Sequence, residues 1–407
     1  MCMRFGLIGE KLGHSYSKTI HEMLGLYGYE LLPTAPEDLA AVLSDVSYGG
    51  FNVTIPYKRA VLPYCAELED EARAIGCVNT LLRGADGGFI GYNTDLFGFL
   101  SMLDFWGIDV CGKKVAVLGS GGTSMTAQEA CRQRSAREVI VVSRSHKVCY
   151  EDAEVIINTT PVGMFPDVDS SPIDLRKLPR LEAVVDVIYN PLRTRLVQQA
   201  EDLGVKSVGG FFMLVSQAVR AAELFTGRQL RGEIARIYSA LKAQTENIAL
   251  IGMPGCGKTA VGNALAALTG RELLDTDAII EERVKKSIPQ IFAEDGEATF
   301  RALECKSVAE CGTRTGVIIS TGGGAIISFE NRAALKQNSR VFWLERDVLA
   351  TEGRPLSKDA ETLRRMAIER EPFYVACADV KIKNNAAPEG AAREIIHMGA
   401  QLALAKE

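Results

Sequence analysis

The chain has 407 residues, of which 47% are hydrophobic, 24% charged and 7% aromatic, a composition that excludes disordered and fibrous proteins and leaves room for two or three domains. Its formal net charge of -5 argues against a nucleic-acid partner, although local basic residues can still bind phosphates or carboxylates. No stretch approaches the roughly 18 apolar residues of a membrane span, and the N-terminus lacks the apolar core of a signal peptide, so we expect a cytoplasmic protein without a membrane partner.

Predicted strands alternate with predicted helices in two series, which indicates an α/β fold with largely parallel sheets. The first series runs from about residue 3 to about residue 230, and the second runs from residue 247 to the end. Between them lies a charged, helix-prone segment without proline, and we predict a helical linker at 233–246.

The first series contains a glycine-rich loop directly after the predicted strand Lys114–Leu118. The next predicted strand, Glu138–Val142, ends where the adenosine ribose of a dinucleotide is expected. A basic residue there favours the 2′-phosphate of NADP over NAD, the alternative being an ordinary surface arginine. The cofactor-binding residues predicted from this pattern are Gly119, Gly121, Gly122, Thr123, Ser143 and Arg144.

The second series opens with the buried-strand pattern Asn247–Ile251, followed by GMPGCGKT at 252–259. This segment matches the phosphate loop, whose backbone N–H groups surround phosphates, whose lysine reaches the β and γ oxygens and whose threonine binds Mg²⁺. A chance glycine-rich turn is the alternative, but the strand before it and the helix-prone segment after it favour a nucleoside triphosphate such as ATP. The predicted binding residues are Gly255, Cys256, Gly257, Lys258 and Thr259.

Residues 1–232 resemble shikimate dehydrogenase in a series of motifs. The matching segments are GEKLGHSYSKTIH (9–21), GFNVTIPYK (50–58), AIGCVNT (74–80), GYNTD (91–95), INTTPVGM (157–164), DVIYNPLRTRL (186–196) and GGFFMLVSQA (209–218). The resemblance implies a substrate-binding α/β domain at 1–100, completed by returning helices at about 213–232. It also implies a Rossmann-like NADP domain at 101–212.

The same resemblance implies site residues for reduction of a ketone. Lys58 would pair with Asp95 at the reacting oxygen, where developing negative charge must be stabilised and protonated. An exposed lysine, a helix-capping aspartate and helix-capping serines are the alternatives for single residues. The implied substrate contacts are Ser15, Ser17, Thr54, Asn79, Tyr189 and Gln217, and the implied further cofactor contacts are Asn158, Thr159, Gly210 and Met213.

Residues from 247 to about 397 resemble shikimate kinase, which implies a P-loop domain at 247–407. The motifs beyond the phosphate loop are DTD (275–277), IFAEDGEATFRALE (291–304), TGGGA (321–325), GRPL (353–356) and REPFYVACADVKI (370–382). By this resemblance Asp277 orients the attacking hydroxyl, Asp275 helps Thr259 to hold Mg²⁺, and Arg354 lies on a mobile lid. The implied substrate contacts are Arg301 and Arg370, which would bind a carboxylate, and Gly322, Gly323 and Gly324.

Ordinary structural roles remain possible for these kinase motifs one by one. The DTD segment can cap a helix, TGGGA can form a plain turn, and Arg301 can pair with Glu297 or Glu304 on its own helix.

The chain departs from both families by being short in two places. Residues 145–157 leave no room for the helix and strand expected there, so we predict a shortened NADP domain that keeps its NADP preference but binds more weakly. The stretch 345–354 lacks an expected arginine before the lid, for which Arg346 is a possible replacement. Cys256 is either an inert small side chain or, less favoured, an oxidisable thiol.

Together these patterns predict a bifunctional enzyme that reduces 3-dehydroshikimate with NADPH and then phosphorylates shikimate with ATP. One alternative is a quinate/shikimate dehydrogenase that uses NAD, joined to a kinase for another small polyol acid. The other is that one half is a non-catalytic binding or regulatory module. The sequence leaves the oligomeric state open.

Overall fold

The computed structural model describes residues 4–13, 15–144, 149–347 and 360–402. The chain divides into two compact units: unit 1 comprises Met1–Tyr189 with Gln199–Leu241, and unit 2 comprises Asn190–Gln198 with Lys242–Glu407. Both units are α/β, as predicted. Within the described ranges, no helix is both long enough and apolar enough to span a bilayer.

The first sheet of unit 1 is mixed, with the strand order β2-β1-β3-β5-β6-β4. Strand β1 pairs in parallel with β2 and β3, whereas β5 runs antiparallel to β3 and β6. All six residues of β3 are buried, because helices cover both of its faces. The elements of this part are β1 (Arg4–Gly9), α1 (Ser17–Leu24), β2 (Gly28–Pro33), α2 (Leu39–Ser44), β3 (Tyr48–Val53), β4 (Cys65–Leu68), α3 (Asp70–Ile75), β5 (Thr80–Arg83), β6 (Phe89–Tyr92) and α4 (Thr94–Trp106).

The second sheet is parallel, with the strand order β11-β10-β9-β7-β8. The described residues between β8 and β9 form no helix, in agreement with the shortened NADP domain predicted from the sequence. The elements here are β7 (Lys114–Leu118), α5 (Gly122–Gln133), β8 (Glu138–Val142), β9 (Val155–Asn158), β10 (Ala183–Asp186), α6 (Arg195–Asp202), β11 (Lys206–Val208), α7 (Phe211–Thr226) and α8 (Ile234–Thr245).

The segment predicted to be a helical linker, 233–246, contains helix α8, and the larger part of this helix is packed within unit 1. Its Tyr238 is 5% exposed and contacts Phe212 edge to face, with 5.1 Å between the ring centroids. Ile237 and Leu241 are also buried. The apolar face of the helix therefore belongs to the core of unit 1, because burial of such side chains stabilises the packed helix.

Unit 2 is built on a parallel sheet with the strand order β13-β14-β12-β15-β16. Helices cover both faces, and the carboxyl ends of its central strands lead into the glycine-rich loops predicted to bind ligands. Its elements are β12 (Asn247–Ile251), α9 (Lys258–Thr269), β13 (Leu273–Asp275), α10 (Thr276–Val284), α11 (Ile288–Glu294), α12 (Gly296–Gly312), β14 (Ile318–Ser320), α13 (Phe329–Asn338), β15 (Ser339–Glu345), α14 (Ala360–Cys377), β16 (Val380–Lys383) and α15 (Pro388–Leu402).

The short segment Asn190–Gln198 is held within unit 2 by polar contacts. The Arg193 guanidinium donates to the carbonyl oxygens of Lys336 and Ser339 and forms an ion pair with Asp379 at 3.0 Å. The Arg193 backbone N–H donates to Gln337 O at 2.8 Å. A segment that lies within the predicted dehydrogenase half is thus fixed by residues of the predicted kinase half, and sequence reading did not foresee this.

Candidate active sites

The Lys58–Asp95 pair lies in the interior of unit 1. Lys58 follows β3, Asp95 lies in the first turn of α4, and Lys58 Nζ donates to Asp95 Oδ2 at 2.6 Å. The two side chains are only 19% and 10% exposed, so Lys58 is not a solvated surface lysine. The cap of α4 is the neighbouring Asn93, whose side chain accepts from Leu96 N, so Asp95 is not a capping residue.

Burial by itself lowers the pKa of Lys58, but the Asp95 carboxylate and its hydrogen bond more than offset this, and the net pKa of Lys58 is raised. The ammonium group therefore keeps its proton at neutral pH. The result is a positively charged proton donor with a fixed orientation, which is what a ketone oxygen needs as it gains negative charge.

Other predicted substrate contacts also lie in unit 1, and one of them bonds directly to this pair. Asn79 Nδ2 donates to Asp95 Oδ1 at 2.9 Å, and Ser15 Oγ accepts from Ser17 N at 3.2 Å where α1 begins. Ser15 is not the cap of α1, because the cap position is Tyr16 and has no side-chain hydrogen bond. Thr54 follows β3 directly, and its methyl group lies against Gly9.

Helices α4 and α7 pack closely because Gly98 has no side chain. A Cβ at Gly98 would lie 2.8 Å from Met213 O and 3.0 Å from Gln217 Cβ. This close approach places Gln217 against the helix that carries Asp95. Tyr189 contacts Tyr16 edge to face, with 6.2 Å between the ring centroids. Burial raises the pKa of Tyr189, which keeps its phenol protonated.

The glycine-rich loop between β7 and α5 has the geometry of an anion-binding turn. Gly119 has φ 114°, and a Cβ there would lie 2.6 Å from Thr159 Oγ1, so this position requires glycine. The N-terminus of α5 has Gly121 as its cap and no side-chain hydrogen bond there, and Thr123 lies in its first turn. Its backbone N–H groups therefore remain available for a pyrophosphate.

Ser143 and Arg144 follow β8, the strand adjacent to β7 in the sheet, and Arg144 is exposed. This is the position at which the ribose end of a dinucleotide is expected. The basic residues after Arg144 lie outside the described residues.

In unit 2 the phosphate loop encloses the Lys258 ammonium. Lys258 Nζ donates to the carbonyl oxygens of Gly252 at 2.8 Å and Met253 at 3.1 Å. Gly255 and Gly257 have φ values of 84° and 93°, and residues other than glycine rarely adopt this backbone conformation. The loop thus has the curvature to surround phosphate oxygens.

Two side-chain oxygen atoms next to the loop are suitable ligands for Mg²⁺. Thr259 Oγ1 donates to Asp275 Oδ2 at 2.8 Å, so a hydroxyl and a carboxylate oxygen lie side by side. Mg²⁺ prefers oxygen ligands and takes few from the protein beside waters and phosphates, so two such ligands suffice. Within the described ranges no larger His, Cys, Asp or Glu cluster with metal-binding geometry occurs. Asp275 also caps α10, so the DTD motif has this structural role as well.

The Cys256 thiol is fully buried, which favours the inert alternative over an oxidisable thiol. The backbone carbonyl oxygen of Cys256 accepts a hydrogen bond from Asn384 Nδ2 at 2.7 Å, so the phosphate loop is bonded to the residue that follows β16. Arg346 also approaches the loop, with Nη1 3.7 Å from the position of a Cβ on Gly257. Arg346 is therefore close to the phosphate loop.

A second group of residues converges on the loop after β14. A Cβ would lie 2.8 Å from Asp277 Oδ1 if placed on Gly322, and 2.5 Å from Arg301 Nη1 if placed on Gly324. Arg370 Nη1 donates to Gly323 O at 2.9 Å. Gly322 and Gly324 therefore leave room for Asp277 and Arg301, and Arg370 bonds to the same stretch of backbone.

Glu304 joins this group, although its sequence position predicts only a helix partner of Arg301. Arg301 does pair with Glu304 at 2.8 Å and with Glu297 at 3.1 Å, while its guanidinium also faces Gly324. The helical pairing and the position at the site are therefore compatible. Burial raises the pKa of Glu304 in spite of the neighbouring arginines. Its spacing of three residues from Arg301 was the signal in the sequence.

Comparison with known proteins matches this division. The family model for the shikimate dehydrogenase substrate binding domain matches residues 7–81, and the model for shikimate kinase matches residues 254–399. The NADP(+) shikimate dehydrogenase of Clostridium perfringens is 35% identical over 268 residues, which cover 59% of this chain and 98% of that protein. The chain belongs to the shikimate dehydrogenase family. Its second unit carries the match to shikimate kinase.

Solved structures of shikimate dehydrogenases are similar to the same part of the chain. A chorismate mutase/shikimate 5-dehydrogenase fusion protein from Clostridium acetobutylicum is 35% identical with a TM-score of 0.56, over 60% of this chain and 98% of that chain. The Thermus thermophilus enzyme in complex with NADP(H) and shikimate is 33% identical with a TM-score of 0.53, over 58% and 99%. The predicted fold class and family resemblances are confirmed.

Within this family assignment, Asn158 needs a correction. It was predicted to contact the cofactor, but its side chain is fully buried and its Nδ2 donates to Asp186 at 3.0 Å. Its Oδ1 accepts from the backbone and hydroxyl of Thr160, so the amide shapes the loop after β9 and does not face a ligand. Thr159 Oγ1 likewise donates to Leu118 O. Local sequence could not show this, because the direction of a side chain at a strand end depends on the neighbouring strand.

Two other predicted cofactor contacts, Gly210 and Met213, have structural roles in unit 1. Gly210 N donates to Ile188 O at 2.8 Å, and a Cβ at Gly210 would lie 2.0 Å from Val187 O, so this glycine allows a close chain crossing. Met213 is 7% exposed. Arg354, predicted to lie on the lid, is outside the described residues.

Proposed function

We propose that the chain catalyses two consecutive reactions: NADPH-dependent reduction of 3-dehydroshikimate to shikimate in unit 1, and ATP-dependent phosphorylation of shikimate to shikimate 3-phosphate in unit 2. The observation that carries the proposal is the buried 2.6 Å contact of Lys58 with Asp95, present in the same chain as a phosphate loop beside two arginines. The product of the first site is then the substrate of the second.

In the reduction, bound NADPH supplies the hydride. The Lys58 ammonium stabilises the negative charge that develops on the carbonyl oxygen and donates the proton, while Asp95 orients the ammonium and the substrate hydroxyl. Ser15 and Ser17 bind the substrate carboxylate, and Asn79, Thr54, Tyr189 and Gln217 surround the ring. Gly119, Gly121, Gly122 and Thr123 bind the pyrophosphate, and Arg144 binds the 2′-phosphate of NADP. The short connection after Arg144 weakens this binding without changing the preference.

In the phosphorylation, ATP supplies the phosphoryl group, and Thr259 and Asp275 hold Mg²⁺. Arg301 and Arg370 bind the carboxylate of shikimate, because the planar guanidinium matches a carboxylate with two parallel hydrogen bonds. Asp277 orients the attacking hydroxyl, and Lys258 stabilises charge on the β and γ oxygens. Arg354, the further arginine that the resemblance assigns to this reaction, lies outside the described residues.

The decisive experiment assays both reactions in two single variants. Lys58→Ala removes the proton donor, and we expect dehydrogenase kcat to fall at least about 100-fold while kinase kcat stays unchanged. Lys258→Ala removes a charge at the phosphates, and we expect at least about a 100-fold loss of kinase kcat with an unchanged dehydrogenase. In each variant, the unchanged activity of the unmutated site shows that the unit carrying that site is folded. Product formation from 3-dehydroshikimate, NADPH, ATP and Mg²⁺ is followed by mass spectrometry.

The alternatives make different predictions in the same assay. If one half is a non-catalytic module, the folded unmutated protein lacks one of the two products, and the proposal is then wrong. If the dehydrogenase half uses quinate and NAD, its kcat/KM with that pair exceeds the value for shikimate and NADP, which would overturn the substrate assignment.

A further inference from the structure

A buried series of hydrogen bonds leads away from the catalytic pair into the first sheet. Asp95 Oδ1 accepts from Asn79 Nδ2 at 2.9 Å, while Asp95 Oδ2 accepts from Lys58. Asn79 Oδ1 accepts from Thr94 N at 2.7 Å and from the Thr80 hydroxyl at 3.2 Å. The Asn79 amide is therefore held on its oxygen side by one set of donors while its nitrogen holds Asp95.

The series continues across two more strands. Thr80 in β5 and Asn52 in β3 are paired across the antiparallel ladder, and Asn52 Nδ2 donates to Thr80 Oγ1 at 3.0 Å. Asn52 Oδ1 accepts from the Tyr29 hydroxyl at 2.7 Å. Tyr29, Asn52 and Thr80 are 4%, 6% and 0% exposed, so these bonds are shielded from water.

The donors and acceptors give the series one direction. Burial raises the pKa of Tyr29, so its phenol stays protonated and donates to Asn52. With its oxygen occupied in this way, the Asn52 amide presents Nδ2 to Thr80. Because the Thr80 oxygen receives that donor, its single proton points to Asn79 Oδ1 or to Thr94 Oγ1 at 3.3 Å, and Thr94 itself contacts the Asn79 amide.

We propose that Thr80, Asn52 and Tyr29 are positioning residues of the dehydrogenase: they orient the Asn79 amide that holds Asp95, and through Asp95 they orient Lys58. None of the three acts on substrate directly. A flipped Asn79 amide would place its oxygen against the Asp95 carboxylate, and this repulsion would release the carboxylate from Lys58. The assignment to catalysis rests on the dehydrogenase function proposed above.

The test compares near-isosteric variants that remove one hydroxyl each. Thr80→Val breaks the series next to Asn79, and we expect the dehydrogenase kcat to fall about 10-fold with an unchanged KM for NADPH, the loss of roughly one hydrogen bond's orienting effect. Thr80→Ser keeps the hydroxyl and should recover kcat to within about 3-fold. Tyr29→Phe acts two residues further away, and we expect a smaller loss, roughly 3-fold.

Thr34→Val is the matched control. Thr34 is 3% exposed and its hydroxyl donates to Leu32 O at 2.8 Å, but it has no hydrogen bond to the series. It therefore loses a buried threonine hydroxyl of the same unit without disturbing Asn79. The positioning role is refuted if Thr80→Val retains wild-type kcat, or if Thr34→Val loses as much kcat for the same decrease in Tm.

A second measurement needs no turnover. The groups facing Lys58 are Asp95, Cys77 and Tyr189, and of these the Asp95 carboxylate opposes the effect of burial on the pKa of Lys58. When Asp95 is released, that pKa falls, so the pH midpoint of Lys58 acylation, measured by peptide mass spectrometry, should shift downward in Thr80→Val and not in Thr34→Val. An unshifted midpoint contradicts the proposal. A shifted midpoint in a protein that does not reduce 3-dehydroshikimate would refute the dehydrogenase function and leave the orientation of the pair intact.

Discussion

At the scale of single residues, burial sets the protonation state of a histidine in the core of unit 1. His21 in α1 is fully buried, its ring stacks on Tyr29 with 3.8 Å between the centroids, and its Nδ1 lies 2.6 Å from the Tyr27 hydroxyl. Desolvation lowers the pKa of His21 to about 3, so the native state holds the neutral ring. The last histidine of the GEKLGHSYSKTIH motif is thus part of the core.

The stability of unit 1 should therefore fall in mild acid. The unfolded chain protonates His21 near its ordinary pKa of about 6.5, whereas the native state does not, so the contribution of neutral His21 is complete above pH 6.5 and is lost as the pH falls towards 3. Between pH 6.5 and pH 5 this amounts to about 2 kcal/mol of unfolding free energy. In urea unfolding, His21→Phe should show a correspondingly smaller loss over that range. Equal pH dependence in both proteins would show that His21 is not the group responsible.

At the scale of elements, the loop after β14 depends on the absence of side chains. The nearest atom to a Cβ on Gly324 belongs to the Arg301 guanidinium, which is the end of a flexible side chain and can move. For Gly323 the nearest atoms belong to the Pro254 ring, which cannot move in the same way. A methyl group on Gly324 would therefore displace a side chain, whereas one on Gly323 would clash with the Pro254 ring.

We expect Gly324→Ala to fold normally and to lose substrate affinity. The methyl group displaces the Arg301 guanidinium, and loss of hydrogen bonds to a charged carboxylate should raise the KM for shikimate roughly 10- to 100-fold. Steady-state kinase kinetics and Tm measure the two effects. Gly390→Ala in α15 is the control, because nothing lies within 4 Å of its Cβ position. A large decrease in Tm with an unchanged KM would contradict this explanation.

At the scale of the whole molecule, the fold does not divide the chain where the motifs do. Tyr189 belongs to unit 1, but Asn190–Gln198, which begins in the same DVIYNPLRTRL motif, belongs to unit 2. The Arg193–Asp379 pair that holds this segment has only 16% of either side chain exposed. Burial by itself would raise the pKa of Asp379, but the Arg193 guanidinium and the Val341 N–H lower it.

Arg193→Met should therefore destabilise unit 2. Removing one partner leaves the Asp379 carboxylate buried without its counter-charge, at a cost of about 3 kcal/mol of unfolding free energy. Kinase activity after heating and urea unfolding provide the measurement. Arg314→Met breaks the exposed Arg314–Glu272 pair of the same unit, whose side chains are 53% and 55% exposed, and should cost less than about 1 kcal/mol. Equal losses in the two variants would mean that burial of the pair has no role.

The sequence alone was sufficient for the fold class, the two families and the glycine-rich loops. These features depend on local backbone requirements: a loop around phosphates needs glycine at positive φ, as at Gly255 and Gly257, and such positions can be read directly from a motif. Parallel sheets are similarly predictable, because alternating strands and helices leave few other topologies.

Only the tertiary structure decided which side chains meet. Lys58 and Asp95 are 37 residues apart in sequence and 2.6 Å apart in space, and the assignment of Arg193 to unit 2 depends on residues more than a hundred positions later. The buried direction of Asn158, the approach of Glu304 to Gly322 and the series from Tyr29 to Asp95 are of the same kind. Contacts of this sort depend on strand register and helix packing, which are set by the folding of the whole unit and not by any short segment.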